Sequence, residues 1–276
     1  MSHPTRSEVR PTPAPQPAAP GGTIIEAQGL TKIYPGATGN VLALQDVSFR
    51  IKDGEFVCLV GPSGCGKSTL LKILAGLLPY TGGTVTRSGH TLEGPGPDVG
   101  MVFQAPVLLP WRTVMQNVLL PTEFRRLNAD DFRARADELL TLVGLSDFKD
   151  RYPHELSGGM QQRAAIVRAL VQDPPILLMD EPFGALDAMT REQMNVEVLR
   201  IWNRNRKTVV FVTHSIAESV FLADRVFVMT PRPGTIAEII DVDLPRPRDL
   251  SIINTEQFGR HATRIRALLH AKGDLS

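Results

Sequence analysis

An unbroken apolar run, Phe56–Val60, opens directly into Gly61-Pro-Ser-Gly-Cys-Gly-Lys-Ser-Thr69, and Ser68–Leu77 then reads as a helix that stops near Gly76 and Pro79. This strand–loop–helix unit constrains the fold more than any other feature. A continuous apolar run suits a central parallel strand buried on both faces. The glycines let backbone N–H groups turn inward as a nest for anions. The helix N-terminus behind the nest adds roughly half a positive charge. Lys67 is placed to reach the β- and γ-phosphates of a nucleotide, and the Ser68 hydroxyl to ligate magnesium. A chance glycine-rich turn would lack this context of strand, helix, Lys and Ser in register.

The rest of the body reads as an α/β nucleotide-binding core interrupted by a helical insert. Strands are expected at Ile24–Gly29, Val41–Ile51, Glu55–Val60, near Val85 and at Val99–Phe103. Residues Arg112–Gln172 read as helical. Within them Asp130-Asp131 is expected to cap a helix with Phe132, Ala136, Leu139, Leu140 and Val143 on one face, closed by Gly144. After Pro174-Pro175 the alternation resumes: strand Ile176–Asp180, helix Arg191–Asn203, strand Thr208–Thr213, helix Ile216–Leu222 and strand Arg225–Met229. Thr255–His270 is a final amphipathic helix with Phe258, Ala262, Ile265 and Leu269 inward. It is read as a cover for the core, with partner binding as the alternative. Residues 1–22 hold six prolines before Gly21-Gly22 and almost no large apolar residues, so they are read as a disordered tail.

Composition excludes several classes. A formal charge of +1 offers no global footprint for nucleic acid or anionic lipid. No apolar stretch reaches the ~18 residues of a membrane span, and residues 1–20 lack the apolar core of a secretory signal. A cytoplasmic location is expected, with any membrane role supplied by a partner. The two cysteines, Cys58 and Cys65, have neither disulfide nor zinc context. Cys65 sits inside the phosphate loop, so a thiol reagent is expected to block nucleotide binding there.

Four further motifs follow in order: Gln104, Leu156-Ser-Gly-Gly-Met160, Ile176-Leu-Leu-Met-Asp-Glu181 and His214. A buried strand would deliver Asp180 to the edge of the sheet to hold magnesium. Glu181, one residue on, can polarise a water for in-line attack on the γ-phosphate. Alone, the pair would be an ordinary charged strand end. A Ser-Gly-Gly turn alone would be a plain helix start; entering a helix at Met160–Gln172, it also reads as a second anion-binding N-terminus. A second such loop is unnecessary if one chain encloses its own nucleotide. It makes sense if the loop closes on a nucleotide held by another copy.

This ordered set resembles the ATP-binding cassette (ABC) ATPases, from about Thr23 to Gly234. The resemblance implies a P-loop NTPase fold: a RecA-like core with an antiparallel β subdomain and an inserted α-helical subdomain at about 105–172. The cassette would span 23–250, followed by a helical extension, 251–276. It implies ATP and Mg2+ as cofactors and a head-to-tail homodimer that sandwiches two ATPs. Carried over residue by residue, Gly61, Pro62, Ser63, Gly64, Cys65, Gly66, Lys67, Ser68 and Thr69 cradle the phosphates, and Tyr34 stacks on adenine. Gln104 reaches magnesium alongside Ser68 and Asp180. Ser157, Gly158 and Gly159 touch the partner's γ-phosphate, and Asp187 contacts the opposite monomer. Glu181, His214 and Lys67 carry catalysis, His214 by bonding the γ-phosphate and holding the attacking water. Two departures bear on the dimer interface: Met160 stands where glutamine is usual, and Gly184 where serine is common.

With one cassette and no span, the chain reads as the ATPase subunit of an importer. It would lie peripherally on the cytoplasmic face of the cell membrane beneath separate permease subunits, served indirectly by a periplasmic or lipid-anchored solute-binding protein. In the segment Pro106–Asn117, which carries Leu108-Leu-Pro-Trp111 with Val114, exposed Leu and Trp are expected to form a socket for a permease helix. Alternatively, Trp111 packs within the insert. These residues, with Met229–Ile236 and Leu244–Arg248, resemble the nitrate/sulfonate/taurine import branch, whose substrates are small anions. The alternative is a non-transport ABC ATPase acting on nucleic acid or ribosomes. It would need a long coiled-coil insertion or a second cassette, and neither is present. A small-molecule kinase would leave the Ser-Gly-Gly loop and His214 without a task.

Overall fold

The computed structural model describes residues 22–36, 39–184 and 186–271. The proline-rich tail, all but Gly22, lies outside the described residues. Two sheets share the load. Strands β1 (Thr23–Tyr34), β2 (Val41–Lys52), β4 (Gly82–Arg87) and β5 (His90–Thr91) form an antiparallel sheet in the order β2-β1-β4-β5. Strands β3 (Phe56–Val60), β6 (Val99–Val102), β7 (Ile176–Asp180), β8 (Thr208–Val212), β9 (Arg225–Met229) and β10 (Ile236–Asp241) form the second, ordered β10-β9-β3-β8-β7-β6. It is parallel except where β10 pairs antiparallel with β9.

The parallel strands show why their sequences lack alternation. In β3, Phe56, Cys58 and Val60 join one core, and Val57 and Leu59 join another. In β8, Val209 and Phe211 face the first, and Val210 and Val212 the second. Successive residues point to opposite faces, and both faces are covered, so Phe56–Val60 and Val209–Val212 are apolar throughout. The first face is covered by α5 (Ala188–Asn205), α6 (Ile216–Leu222) and α7 (Glu256–Ala271). The second is covered by α1 (Lys67–Leu74) and the antiparallel sheet. A third apolar cluster lies among α2 (Val114–Phe124), α3 (Asp130–Leu142) and α4 (Gly158–Leu170).

Several expectations are corrected. The first strand continues past Gly29 to Tyr34, because Gly29, at φ +59°, sits at a register shift instead of ending the strand. The helix at 130 has Ala129 as its cap, with no side-chain bond. Asp130 and Asp131 instead occupy its first turn, where their charge favours the helix N-terminus. Helix α4 starts at Gly158, two residues before Met160, because the Ser157 side chain accepts from Met160 N and already caps it. Helix α5 likewise begins at Ala188, capped by Asp187. Leu108 and Leu109 are half-buried, Leu108 against the third cluster, and Val114 is fully buried in it, so of the Leu, Val and Trp expected at the socket Trp111 alone is exposed, at 69%, and it does not pack within the insert. Strand β10 has no counterpart among the expected strands: Ile236–Ile239 are only half-buried, on a sheet edge.

The final helix buries Phe258 and Ile265 in the first core and packs on α6. Arg248, just before it, is buried and donates to the carbonyls of Val220, Phe221 and Ala223 at the end of α6 and to those of Val242 and Leu244. Burial draws its guanidinium down to about 10. These bonds tie the extension to the helix that follows His214.

Candidate functional site

Parallel register brings the motif ends together. Leu59 of β3 pairs with Val212 of β8, Val212 with Asp180 of β7, and Met179 with Val102 of β6. One or two residues beyond this line, four strands deliver Gly61, His214, Glu181 and Gln104 to the carboxyl edge of one sheet. That edge is where open α/β sheets bind ligands.

The phosphate loop is held open by its glycines. Gly66 has φ +104°, and a Cβ there would lie 2.7 Å from Leu44 Cδ2. Lys67 is buried, and its Nζ donates to the carbonyls of Gly61 at 2.7 Å and Pro62 at 2.8 Å. The lysine therefore ties the loop to itself. A bound triphosphate would compete with two neutral carbonyls, an exchange that favours the charged acceptor.

The Ser68 hydroxyl donates to Asp180 Oδ1 at 2.8 Å. Burial, reinforced by the neighbouring Glu181 charge, raises the Asp180 carboxyl above its ordinary value against the Ser68 bond. Such a carboxylate gains from a cation beside it. A hard divalent ion that keeps its waters needs only one carboxylate, a hydroxyl and substrate phosphates. The Ser68–Asp180 pair therefore fits Mg2+. Among the described residues no group of three His, Cys, Asp or Glu side chains offers an alternative metal site.

Glu181 takes φ +42°, the left-handed region that a glutamate rarely occupies, while its N–H is spent on Val212 O at 3.0 Å. Its Oε2 lies 3.5 Å from His214 Nδ1. That is too long for a strong hydrogen bond, though such contacts tighten when a ligand closes the site. Gln104 is exposed beside them: a Cβ on Gly184 would sit 3.7 Å from Gln104 Nε2 and 3.8 Å from Glu181 Oε2.

A cleft of about 360 Å³ lies over the loop, lined by Tyr34, Val41, Ala43, Ser63, Gly64, Gly66, Lys67, Ser68, Thr69, Glu181 and Arg232. Tyr34, half-buried at the end of β1, places its hydroxyl 3.3 Å from Thr69 Oγ1, and Lys32 Nζ lies 4.9 Å from its ring centroid. Cys65 is buried beneath the loop, 3.8 Å from Lys67 Nζ, and desolvation raises its thiol. This burial argues against ready attack by a thiol reagent in the folded chain, contrary to the expectation above. Ser157 and Gly158 are exposed at the start of α4, and neither they nor Gly159 line the cleft. Asp187 is exposed, and the backbone N–H of Thr190 holds its carboxyl below the ordinary value.

Two groups escaped the sequence reading. Arg232 reaches the cleft because the chain turns at Gly234, where an added Cβ would fall 2.0 Å from Cys65 O. Only a glycine permits that approach, and a lone Gly in a Pro-rich turn gives no hint of it. Buried Glu218 bonds Thr213 directly behind His214; it reads in sequence as one more helix-surface charge.

The fold and this cleft define a P-loop nucleoside triphosphatase. Residues 44–184 match the ABC transporter family model. The chain is 49% identical over 240 residues to a taurine import ATP-binding protein of Rhizobium johnstonii, covering 85% of this chain and 92% of that protein. It is 42% identical over 254 residues to a nitrate import ATP-binding protein of Synechocystis, covering 90% and 96%. Among solved structures it resembles a dimeric ATP-binding cassette in a post-hydrolysis state bound to ADP and Pi, with a TM-score of 0.71 and 34% identity, covering 80% of this chain and all of that one. A cassette from Clostridium perfringens, part of the ABC transporter complex cbiONQ, superposes with a TM-score of 0.72 at 26% identity, covering 91% and 98%. The chain belongs to the ABC transporter family: it is an ATP-binding protein and an ATPase. Among the described residues no helix is long and apolar enough to cross a membrane.

Proposed function

We propose that this chain is the ATP-hydrolysing subunit of an importer for a small anion. Two copies sit on the cytoplasmic face of the membrane beneath separate permease subunits, and a solute-binding protein delivers the cargo. Each ATP lies between the phosphate loop of one copy and the Ser157-Gly158-Gly159 turn of the other. The observation that carries this reading is the separation of two anion-binding ends in one chain. The phosphate loop faces a cleft, while the Ser157-capped N-terminus of α4 stands exposed and contributes nothing to that cleft. Taurine, nitrate and bicarbonate stand in the names of similar proteins, and each carries an anionic oxygen group: a sulfonate in zwitterionic taurine, and the whole ion in the other two.

In this reading Lys67 leaves the Gly61 and Pro62 carbonyls for the phosphates, and Tyr34 stacks on adenine. Ser68, Asp180 and Gln104 would hold Mg2+, whose chemistry is to neutralise charge on the β- and γ-oxygens. Glu181 polarises the attacking water, and His214 orients it and bonds the γ-phosphate. Asp187 meets the opposite copy. Closure adds the partner's N–H donors around the γ-phosphate and excludes water, which strengthens every charge contact. ATP drives closure only because the closed state contacts it more fully than the open one. Residues 23–250 act as the cassette, with the insert at about 105–172.

Gel filtration of Glu181→Gln with ATP and Mg2+ tests the arrangement. A shift to twice the monomer mass that Ser157→Arg abolishes is expected. A monomer that binds ATP tightly, with or without Ser157, would overturn it.

A further inference from the structure

Behind the cleft, α5 and α6 bury polar groups that the proposed hydrolysis does not use. Thr213 and Glu218 are both buried, and the Thr213 hydroxyl donates to Glu218 Oε2. The same hydroxyl accepts from Ser215 N at 2.9 Å, and Ser215 Oγ accepts from Glu218 N at 3.3 Å. His214 is thus the middle residue of a loop braced on both sides by Glu218, although Glu218 does not touch it. The other carboxylate oxygen, Oε1, faces Arg191 Nε across 3.9 Å. Both atoms are buried, and neither has a hydrogen-bond partner among the described residues. Asn195, one helical turn along α5 from Arg191, is also buried with its Oδ1 unpartnered.

Buried charged groups are normally paired, because leaving one unpaired forfeits its hydration for nothing. Here opposite charges face each other about an ångström beyond the span of a charge-assisted hydrogen bond. The gap is an interaction held in reserve. Arg191 is also fastened to the loop before α5: its Nη2 donates to Leu186 O at 3.0 Å, and its N–H to Asp187 O at 2.9 Å. A shift of the Asp187 loop therefore carries the guanidinium with it. If the shift is toward α6, the 3.9 Å gap closes on Glu218 and the pull passes through Thr213 to the backbone of His214. A closed pair would be the better bonded one, which would give the network a second arrangement of different energy, as a transmitting element requires.

We propose that Glu218 is a positioning residue for His214, and that the Arg191–Glu218 pair transmits the position of the Asp187 loop to it. The inference rests on the reading above, in which His214 serves hydrolysis and Asp187 meets the second copy. It adds the link that lets one copy's interface set the geometry of its own hydrolytic histidine.

The test is steady-state ATP hydrolysis by the full-length protein carrying Glu218→Gln, Arg191→Met or both, with ATP affinity and melting temperature measured alongside. Glutamine keeps an oxygen for the Thr213 hydroxyl and replaces the anionic oxygen facing Arg191 with an amide NH2 that cannot accept from it. Each single change is expected to lower kcat about tenfold, with KM for ATP within about twofold. The double variant should fall no lower than the worse single. In a His214→Ala background Glu218→Gln should cost nothing further. Should Arg191→Met fail to fold, Arg191→Lys reads the same coupling. Losses that multiply in the double variant, further loss on top of His214→Ala, or a kcat that tracks a falling melting temperature would overturn the inference. If His214→Ala itself turns over normally, the assignment of His214 fails first. If His214→Ala is inactive and Glu218→Gln is unimpaired, only the present inference fails.

Discussion

The Ser68 hydroxyl and Asp180 Oδ1 lie 2.8 Å apart, joining the first turn of α1 to the end of β7 across 112 residues of sequence. Burial and Glu181 hold the Asp180 carboxyl above its ordinary value, so its ionised form is a cost to the folded chain without ligand. The sign follows from linkage. The folded state holds the proton more tightly than the unfolded state, so stability falls as pH rises through the raised value. Asp180→Asn removes that loss and still accepts from Ser68. The variant without ligand is expected to melt higher than the parent at neutral pH, and the two should converge at pH below the ordinary Asp range. Its hydrolysis with Mg2+ should be lost. Calorimetric melting against pH checks this; a variant that melts lower at pH 7 and no closer to the parent in acid refutes it.

Glu181 combines a strained backbone with a carboxylate 3.5 Å from His214. Strain of this kind persists only where the surroundings enforce it, and it marks functional positions. Glu181→Gln preserves shape and removes the carboxylate; on the proposed role of Glu181 as base, kcat is expected to drop about 10²- to 10⁴-fold, as for other general bases. ATP affinity should hold within a few-fold. Radiolabelled ATP binding and phosphate release on one preparation separate the two; parallel loss of both would assign Glu181 to binding.

The strands and their motifs were legible because parallel strands buried on both faces leave continuous apolar runs, as in Phe56–Val60 and Ile176–Met179. The loop residues were legible because their chemistry fixes residue type and spacing together. What escaped depends on approaches between distant segments. Arg232 enters the cleft only through the contact of Gly234 with Cys65 O. Glu218 became notable only once the fold buried it against Thr213 and Arg191. The expected exposure of the two leucines fails because Leu108 packs on the third cluster and the Leu109 N–H donates to Asn117 of α2, contacts that no local pattern in the sequence shows.

Cys65 gives a prediction about reactivity. The thiol is 1% exposed and desolvation raises its pKa, although Lys67 beside it acts in the opposite direction. Thiolate is the reacting species, so a maleimide should label Cys65 far more slowly than in the urea-unfolded chain. Adding ATP should slow it further. Mass spectrometry of the labelled chain reads both cysteines, and rapid labelling at Cys65 in the native state would contradict the buried placement.

The C-terminal helix makes a stability prediction. Phe258 is 4% exposed and joins the core formed by β3, β8 and α6. Truncating it removes a buried ring from a packed face, so Phe258→Ala should cost about 3–5 kcal/mol. Urea unfolding followed by circular dichroism measures this. A cost below about 1 kcal/mol would mean that α7 covers the core loosely and leaves its face free for another task.

Trp111 and Val114 stand three residues apart and should behave oppositely. Trp111 is 69% exposed and Val107, nearby, 57% exposed, whereas Val114 is fully buried under α4. An exposed ring contributes little to folding, so Trp111→Ala should change stability by no more than about 0.5 kcal/mol. Val114→Ala opens a void among packed side chains and should cost about 2 kcal/mol. If Trp111 belongs to the permease socket, Trp111→Ala should abolish stimulation of hydrolysis by the reconstituted permease and loaded binding protein, and Val114→Ala should spare it once folded. Reconstituted ATPase assays on both variants decide the matter. Equal loss of stimulation would mean that the socket is shaped by the whole α2 start, and full stimulation with Trp111→Ala would move it elsewhere.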